Sequence, residues 1–224
     1  MLTRFTTNEL IAHIENSIKF GELEVSKLTQ DLINIPGLTS NKVKMFLNNL
    51  CNIDNSVYME LGVYKGATFC SSMFQNNIYG IGIDNWNEHE LVPNTHLLTN
   101  QDFFNNSQEV FLSNVKKYCD TGKVEVYKNR FQDINYSNLQ SPDIIFYDGD
   151  ISVNETVDTL NKVLTSCLRT FILVVDDWNW SNKHVNKLLQ YHKSTILYRK
   201  EIFTPIEDPD DFWNGLGVFL IENK

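Results

Sequence analysis

The chain has 224 residues, 42% of them hydrophobic and 12% aromatic, so it can bury one substantial core. Its formal net charge of -9 at pH 7 argues against general electrostatic binding of nucleic acid or anionic lipid, which requires clustered Lys and Arg. The four cysteines are far apart, which favours reduced core thiols over a zinc site or a disulfide framework. No leader-like segment and no apolar run of about 20 residues is visible in the sequence. We therefore expect a cytoplasmic protein that has no nucleic-acid or membrane partner.

The first 50 residues have helical patterns. Thr6-x-x-Glu9 is a capping box in front of an apolar stripe. A second helical pattern covers about Ser26 to Asn34, and a third has Val43 and Leu50 on one face. We expect residues 1–50 to form an N-terminal helical extension. Packing of this extension against the sheet edge is favoured over a lid or the arm of a homodimer.

Residues 51–224 have the alternation of apolar strands and amphipathic segments that is typical of an α/β domain. This βαβ rhythm predicts a mostly parallel sheet with helices on both faces. The polar stretch from Trp86 to Asn100 is expected to be a loop over the site, and Phe103 and Phe104 belong to the helix expected after it. Seven strands are predicted: Val57 to Leu61, Tyr79 to Ile83, Val124 to Tyr127, Asp143 to Tyr147, Phe171 to Val175, Ile196 to Phe203 and Leu216 to Ile221.

The segment after the first strand has the composition of a cofactor-binding loop. Glu60, Gly62 and Gly66 form the pattern E-x-G-x-x-x-G, in which glycines permit a tight strand-to-helix turn and a close approach of a ligand to the backbone. Asp84 follows the second strand, where an acid can accept hydrogen bonds from both ribose hydroxyls. The pattern G-x-G-x-x-G, which is typical of dinucleotide binding, is missing. The alternative is an ordinary tight turn in another α/β protein.

A carboxylate at Glu60 would suit a ligand with a cationic ammonium group, and S-adenosylmethionine carries one. At these residues the chain resembles the class I S-adenosylmethionine-dependent methyltransferases. This resemblance implies a Rossmann-like seven-stranded sheet in which the last strand is antiparallel.

Acidic residues follow the fourth and fifth strands. Asp148 and Asp150 end one strand, and Asp176 and Asp177 end the next. Because parallel strands place their carboxyl ends on one rim, we expect these acids to converge. Their repulsion requires protonation, a basic partner or a hard cation, and Mg²⁺ is the simplest choice. The alternative is that the acids cap the helices that follow.

The two acidic segments sharpen the resemblance. Together with the cofactor loop, residues 41–178 resemble the metal-dependent O-methyltransferases of the catechol, caffeoyl-CoA and macrolide-sugar type. The resemblance implies that Asp148, Asp176 and Asp177 bind the metal. It also implies that the cofactor is bound by Glu60, Gly62, Tyr64, Gly66, Thr68, Asp84, Trp86, Arg130, Phe131 and Asp148.

The resemblance fails at the expected catalytic base. Ile151 stands where these enzymes commonly have a lysine or histidine, so Asp148, Asp150 and His184 are the candidate catalytic residues. His184 by itself is more typical of a surface or capping histidine. Trp86, Trp178 and Trp180 are candidates for the wall of an acceptor pocket, although each could simply cover the sheet rim.

The expected reaction is methyl transfer from S-adenosylmethionine to a hydroxyl oxygen of a small molecule, aided by a divalent metal. Two other functions stay open. The protein could bind the cofactor without catalysis, as an accessory protein, or it could be an NAD-linked oxidoreductase. The missing G-x-G-x-x-G disfavours the oxidoreductase.

Overall fold

The computed structural model describes residues 2–87 and 106–223. Phe103, Phe104 and most of the expected loop from Trp86 to Asn100 lie outside these residues. Seven strands form one sheet in the order β3-β2-β1-β4-β5-β7-β6. Strands β1 to β5 are parallel, and β7 is antiparallel to both β5 and β6. The strands are β1 (Val57–Leu61), β2 (Tyr79–Asp84), β3 (Val124–Lys128), β4 (Ile144–Tyr147), β5 (Thr170–Val175), β6 (Thr195–Ile202) and β7 (Leu216–Glu222).

All seven predicted strands are confirmed, and their boundaries agree with the apolar runs to within about one residue. The central strands β1 and β4 are buried at every position. A strand covered on both faces requires a continuous apolar run, which is the pattern that these segments have. The edge strand β6 contains only half-buried and exposed residues, and one of its sides has no neighbouring strand.

Seven α-helices lie within the described residues. Helix α1 begins with the predicted capping box: the Thr6 hydroxyl accepts from the Glu9 backbone N–H at 3.3 Å, and the Glu9 carboxylate accepts from the Thr6 N–H at 2.7 Å. The helices are α1 (Thr7–Glu22), α2 (Gln30–Ile33), α3 (Asn41–Leu50), α4 (Ala67–Met73), α5 (Ser107–Tyr118), α6 (Val153–Ser166) and α7 (Trp178–Tyr191).

Helix α2 is much shorter than the helical pattern over Ser26 to Asn34. The Lys27 N–H donates to the Asn48 side chain at 3.1 Å, and the Leu28 N–H donates to the Ser26 hydroxyl at 3.2 Å. These two hydrogen bonds hold residues 27 and 28 in the turn before α2, outside the helix. The predicted start of the second helix near Ser26 was therefore wrong, whereas its predicted end at Asn34 agrees with the structure.

The N-terminal helices belong to the same core as one face of the sheet. Leu10 and Ile14 of α1 and Phe46 of α3 are in one buried cluster with residues of β1, β4, β5 and β7. Helix α3 packs against both α1 and α4. The helices thus cover a sheet face, and the division into residues 1–50 and 51–224 stays a prediction. In the described part of the chain, no helix is long and apolar enough to cross a membrane.

Candidate functional site

A cavity lies at the carboxyl ends of β1, β2 and β4. The strand order reverses between β1 and β4, and open α/β sheets bind their ligands at such a switch point. The cavity has a volume of about 480 Å³, which is in the range of small-molecule sites. Its walls come from five chain segments and from Ser107 and Asp177: residues 37–39, 62–68, 84–87, 129–132 and 148–155.

The loop between β1 and α4 forms the floor of this cavity. Gly62 and Gly66 have positive φ angles of 94° and 85°, which L-residues with a Cβ rarely adopt. A Cβ on Gly62 would lie 1.8 Å from the carbonyl oxygen of Asp148, and a Cβ on Gly66 would lie 2.9 Å from the Phe111 ring. The glycines are needed because protein atoms approach them closely. Gly62 lines the cavity and Gly66 does not, and contact of either glycine with a cofactor stays a prediction.

Asp84 organises the second wall. Its carboxylate accepts from the Tyr64 N–H at 2.9 Å and from the Trp86 N–H at 2.7 Å. The Trp86 indole in turn donates to the Tyr64 carbonyl at 2.8 Å, and its ring packs on Phe111. Burial raises the pKa of Asp84, and the backbone hydrogen bonds oppose this shift. The three predicted residues Tyr64, Asp84 and Trp86 therefore lie together at the cavity.

Glu60 is turned away from the cavity. One carboxylate oxygen accepts from the Thr68 hydroxyl at 2.6 Å, and the other accepts from the Tyr58 hydroxyl. The side chain is fully buried, and this burial raises the pKa of Glu60 to about 8. A largely protonated carboxyl group with both oxygens engaged is a poor partner for an ammonium group. Thr68, by contrast, does line the cavity.

The segment after β3 supplies a flat apolar wall. Phe131 lines the cavity and packs edge-on against Tyr147 with ring centroids 6.3 Å apart. Gly149 lies beside both rings, since a Cβ there would be 2.7 Å from Phe131. Arg130 also lines the cavity, and its guanidinium donates to Glu155 at 3.0 Å. Both predicted residues are thus in place.

Asp148, Asp176 and Asp177 are neighbours, but they do not share a metal centre. Within residues 2–87 and 106–223, no three His, Cys, Asp or Glu side chains are arranged to hold a metal ion. Asp148 and Asp177 line the cavity, whereas Asp176 is buried beneath it. The residues therefore do not fit the expected Mg²⁺.

Burial and mutual repulsion favour the protonated forms of Asp148 and Asp176. Burial, followed by the charges of Asp176 and Asp177, raises the pKa of Asp148 well above its ordinary value. Burial and the charge of Asp177 raise the pKa of Asp176 in the same way. The raised pKa values agree with protonation, one of the three possibilities that the sequence left open, and the buried Oδ1 atom of Asp176 forms no hydrogen bond within the described residues.

Asp177 precedes α7 without capping it. The first N–H groups of α7 donate to the loop before β7, from Trp178 to the Gly215 carbonyl at 3.2 Å and from Asn179 to the Asn214 carbonyl at 3.1 Å. The Asp177 side chain is thereby available to the cavity, where it accepts from the Asn214 amide at 2.7 Å. The capping alternative for Asp177 is wrong, because a distant loop performs that task.

Other candidate residues are distributed differently. Asp150 lines the cavity, and its carboxylate accepts from the Ser152 N–H. His184 lies in a separate groove between α6 and α7, away from this site. Trp178 is buried and donates to Glu201 at 3.0 Å, so it covers the sheet and does not line the cavity. Trp180 does not line the cavity either.

Thr39 is a cavity residue that sequence reasoning missed. Its hydroxyl oxygen is shielded from solvent and forms no hydrogen bond within the described chain. The loop is held in place because the Lys44 ammonium donates to the carbonyls of Ile33 and Ile35 at 2.6 and 3.3 Å. Buried polar atoms normally have partners, so this oxygen fits a polar group of a ligand. The only sequence signal was the turn before α3.

Comparisons with known proteins reveal similarity at the level of structure. No protein-family model and no curated protein matches the sequence. A protein from Streptococcus mutans described as a SAM-dependent methyltransferase superposes with a TM-score of 0.53 and 15% identity, over 82% of this chain and 48% of that chain. Magnesium protoporphyrin IX methyltransferase from Synechocystis, with bound SAM, superposes with a TM-score of 0.53 and 11% identity, over 94% of this chain and 84% of that chain. The chain has the fold of the class I S-adenosylmethionine-dependent methyltransferases.

The acceptors of the similar proteins differ. A protein from Clostridium thermocellum described as an rRNA methylase gives a TM-score of 0.53 and 11% identity, over 81% of this chain and 92% of that chain. This chain spans about half the length of the Streptococcus protein and most of the other two. The shared fold therefore does not determine the acceptor class.

Proposed function

We propose that the protein is a methyltransferase that uses S-adenosylmethionine. The observation that carries the proposal is the cavity at the strand switch point, which collects Tyr64, Asp84, Trp86 and Phe131 around the β1–α4 loop. The resemblance assigns cofactor contacts to these four residues, and their convergence on one cavity supports the proposal. The unpartnered Thr39 hydroxyl in the same cavity supports a ligand with polar groups.

Each segment has a distinct task in this proposal. The Asp84 carboxylate, fixed by two backbone N–H groups, faces the ribose hydroxyls, and Phe131 stacks against the adenine. Thr39 and Thr68 serve the amino-acid end of the cofactor in place of Glu60. When bound, S-adenosylmethionine supplies a methyl group on a positively charged sulfur, which is a good leaving group. The chain then has to hold an acceptor in line and keep water out.

The acceptor in our proposal is a hydroxyl group of a small molecule. Asp177 is the proton acceptor in this proposal, because it lines the cavity and burial raises the pKa of its carboxyl group above the ordinary value. A carboxyl group with a raised pKa is a better proton acceptor near neutral pH than an ordinary one. The proposed transfer involves no metal ion, because the described aspartates are not arranged to hold one.

Calorimetric titration tests the proposal. We expect S-adenosylhomocysteine to bind the full chain with one site and NAD to give no heat. Binding of NAD alone would instead favour the oxidoreductase. Cofactor binding without methyl transfer to any member of a panel of hydroxylated acceptors would favour the accessory protein. The variant Phe131→Ala should weaken binding by more than Phe20→Ala, an exposed phenylalanine of α1 that is remote from the cavity in sequence.

A further inference from the structure

The charges of the chain are unevenly distributed. Residues 178–200 contain five of the 19 Lys and Arg residues and none of the 28 Asp and Glu residues. All five basic side chains are exposed, and of them only Arg199 forms an ion pair within the described chain. Helix α7 and the turn that follows it therefore carry an excess of exposed positive charge on an acidic protein. The net charge alone conceals this excess.

A groove runs between α6 and α7. It has a volume of about 1040 Å³, and its lining includes Lys187 and Lys193. Lys183 lies one helical turn before Lys187, on the same side of α7. The only acid in the lining, Asp158, is paired with Lys162 at 2.9 Å. The described lining is therefore positively charged.

Two further side chains give the groove a specific chemistry. Tyr191 lines it and is 75% exposed, so one face of its ring is open to a planar group. The Nε2 atom of His184 is shielded from solvent and forms no hydrogen bond within the described residues. A hydrogen-bonding nitrogen beside cations and an open aromatic ring is the combination that recognises phosphates and bases together.

We propose that the groove between α6 and α7 binds single-stranded nucleic acid. Lys183, Lys187 and Lys193 contact successive phosphates, and Tyr191 stacks on a base. Helix α6 is about 21 Å long at 1.5 Å per residue, enough for about six nucleotides at 3.4 Å each. An acidic peptide would satisfy the lysines but would leave the tyrosine ring without a base to stack on.

The groove and the cavity meet at the start of α6. Val153 and Asn154 line the groove, while Ile151 and Glu155 line the cavity. A single-stranded nucleic acid bound in the groove would therefore pass the mouth of the cavity. The binding itself needs no cofactor, so the proposal stands or falls separately from methyl transfer.

Fluorescence anisotropy with a labelled 12-nucleotide uridine oligomer tests the proposal. We expect binding in 50 mM salt and a slope of log K against log salt of about -2, because three neutralised phosphates each contribute about 0.7. The double variant Lys183→Glu with Lys187→Glu should lose at least tenfold in affinity. The matched control, Lys19→Glu with Lys116→Glu, changes the charge equally at exposed sites elsewhere and should lose less than threefold.

The proposed stacking of a base on Tyr191 distinguishes nucleic acid from other anionic ligands. Tyr191→Ala should weaken oligomer binding at least fivefold, and Tyr191→Phe should retain it. Poly-glutamate of equal charge should compete poorly. The proposal is overturned if the wild-type chain does not bind the oligomer in 50 mM salt, if both double variants lose equally, or if Tyr191→Ala has no effect. Equal competition by poly-glutamate would assign the groove to an acidic peptide instead.

Discussion

Replacement of the buried Glu60 by Gln should change how the stability of the protein depends on pH. Glu60 has its two oxygens bonded to Tyr58 and Thr68, and burial raises its pKa from 4.5 to about 8. Gln is similar in shape but does not titrate. Its amide can keep both contacts because a hydroxyl partner can rotate from donor to acceptor.

The sign and size of the effect follow from the two pKa values. Between pH 4.5 and pH 8, the folded chain holds a proton on Glu60 that the unfolded chain has released. This contribution to stability is fully present below pH 4.5 and is lost as the pH rises through about 8. The complete difference corresponds to roughly 5 kcal/mol, of which roughly 2 kcal/mol is lost between pH 6 and pH 8.

Urea unfolding at pH 6, 7 and 8 measures this contribution. The free energy of unfolding of the wild type minus that of Glu60→Gln should fall by roughly 2 kcal/mol over this range. The difference is informative because other groups also titrate: burial lowers the pKa of His13, for example. Glu22→Gln, at an exposed position, is the control and should run parallel to the wild type. If the free energy of unfolding of Glu60→Gln changed with pH in the same way as that of the wild type, the reasoning about Glu60 would be refuted.

Three other outcomes are expected. Thr39→Val should weaken S-adenosylhomocysteine binding about tenfold in calorimetry while Thr39→Ser preserves it, because the hydroxyl bonds a charged group; equal affinities would remove Thr39 from the site. Gly62→Ala should lower the free energy of unfolding by roughly 3 kcal/mol or more, since its Cβ would meet a backbone oxygen at 1.8 Å. Gly122→Ala, 3.4 Å from its nearest neighbour, should be nearly neutral, and similar losses in both would contradict the steric argument. Finally, the affinity for S-adenosylhomocysteine should be the same in EDTA as in Mg²⁺; a lower affinity in EDTA would support the predicted metal site.

Local sequence patterns predicted the elements well. The strands were found because apolar runs bounded by turn residues identify buried strands, and the run before Glu60 is an example. The capping box at Thr6 was found because both of its hydrogen bonds join residues three positions apart. The cavity was predicted because the ends of parallel strands share one rim, which follows from the order of elements alone.

Side-chain partners from distant parts of the chain were not predictable in this way. The start of the second helix was misplaced because Asn48, from a distant helix, binds a backbone group of residue 27 and holds the turn before α2. Thr39 was missed because only folding brings its loop beside α4. His184 was assigned to the wrong site because a position soon after a strand does not specify which face of the sheet the helix covers.

The sequence by itself determined the order of the strands and helices, and hence a crevice at their carboxyl ends. It did so because hydrophobic periodicity acts over a few residues and connections between parallel strands have one hand. The tertiary structure decided the chemistry of that crevice. It buried Glu60 between two hydroxyl groups and made Asp177 available by capping α7 from a loop almost 40 residues further along the chain. Such choices depend on which polar groups meet after packing, because each buried donor or acceptor takes the nearest partner whatever its position in the chain.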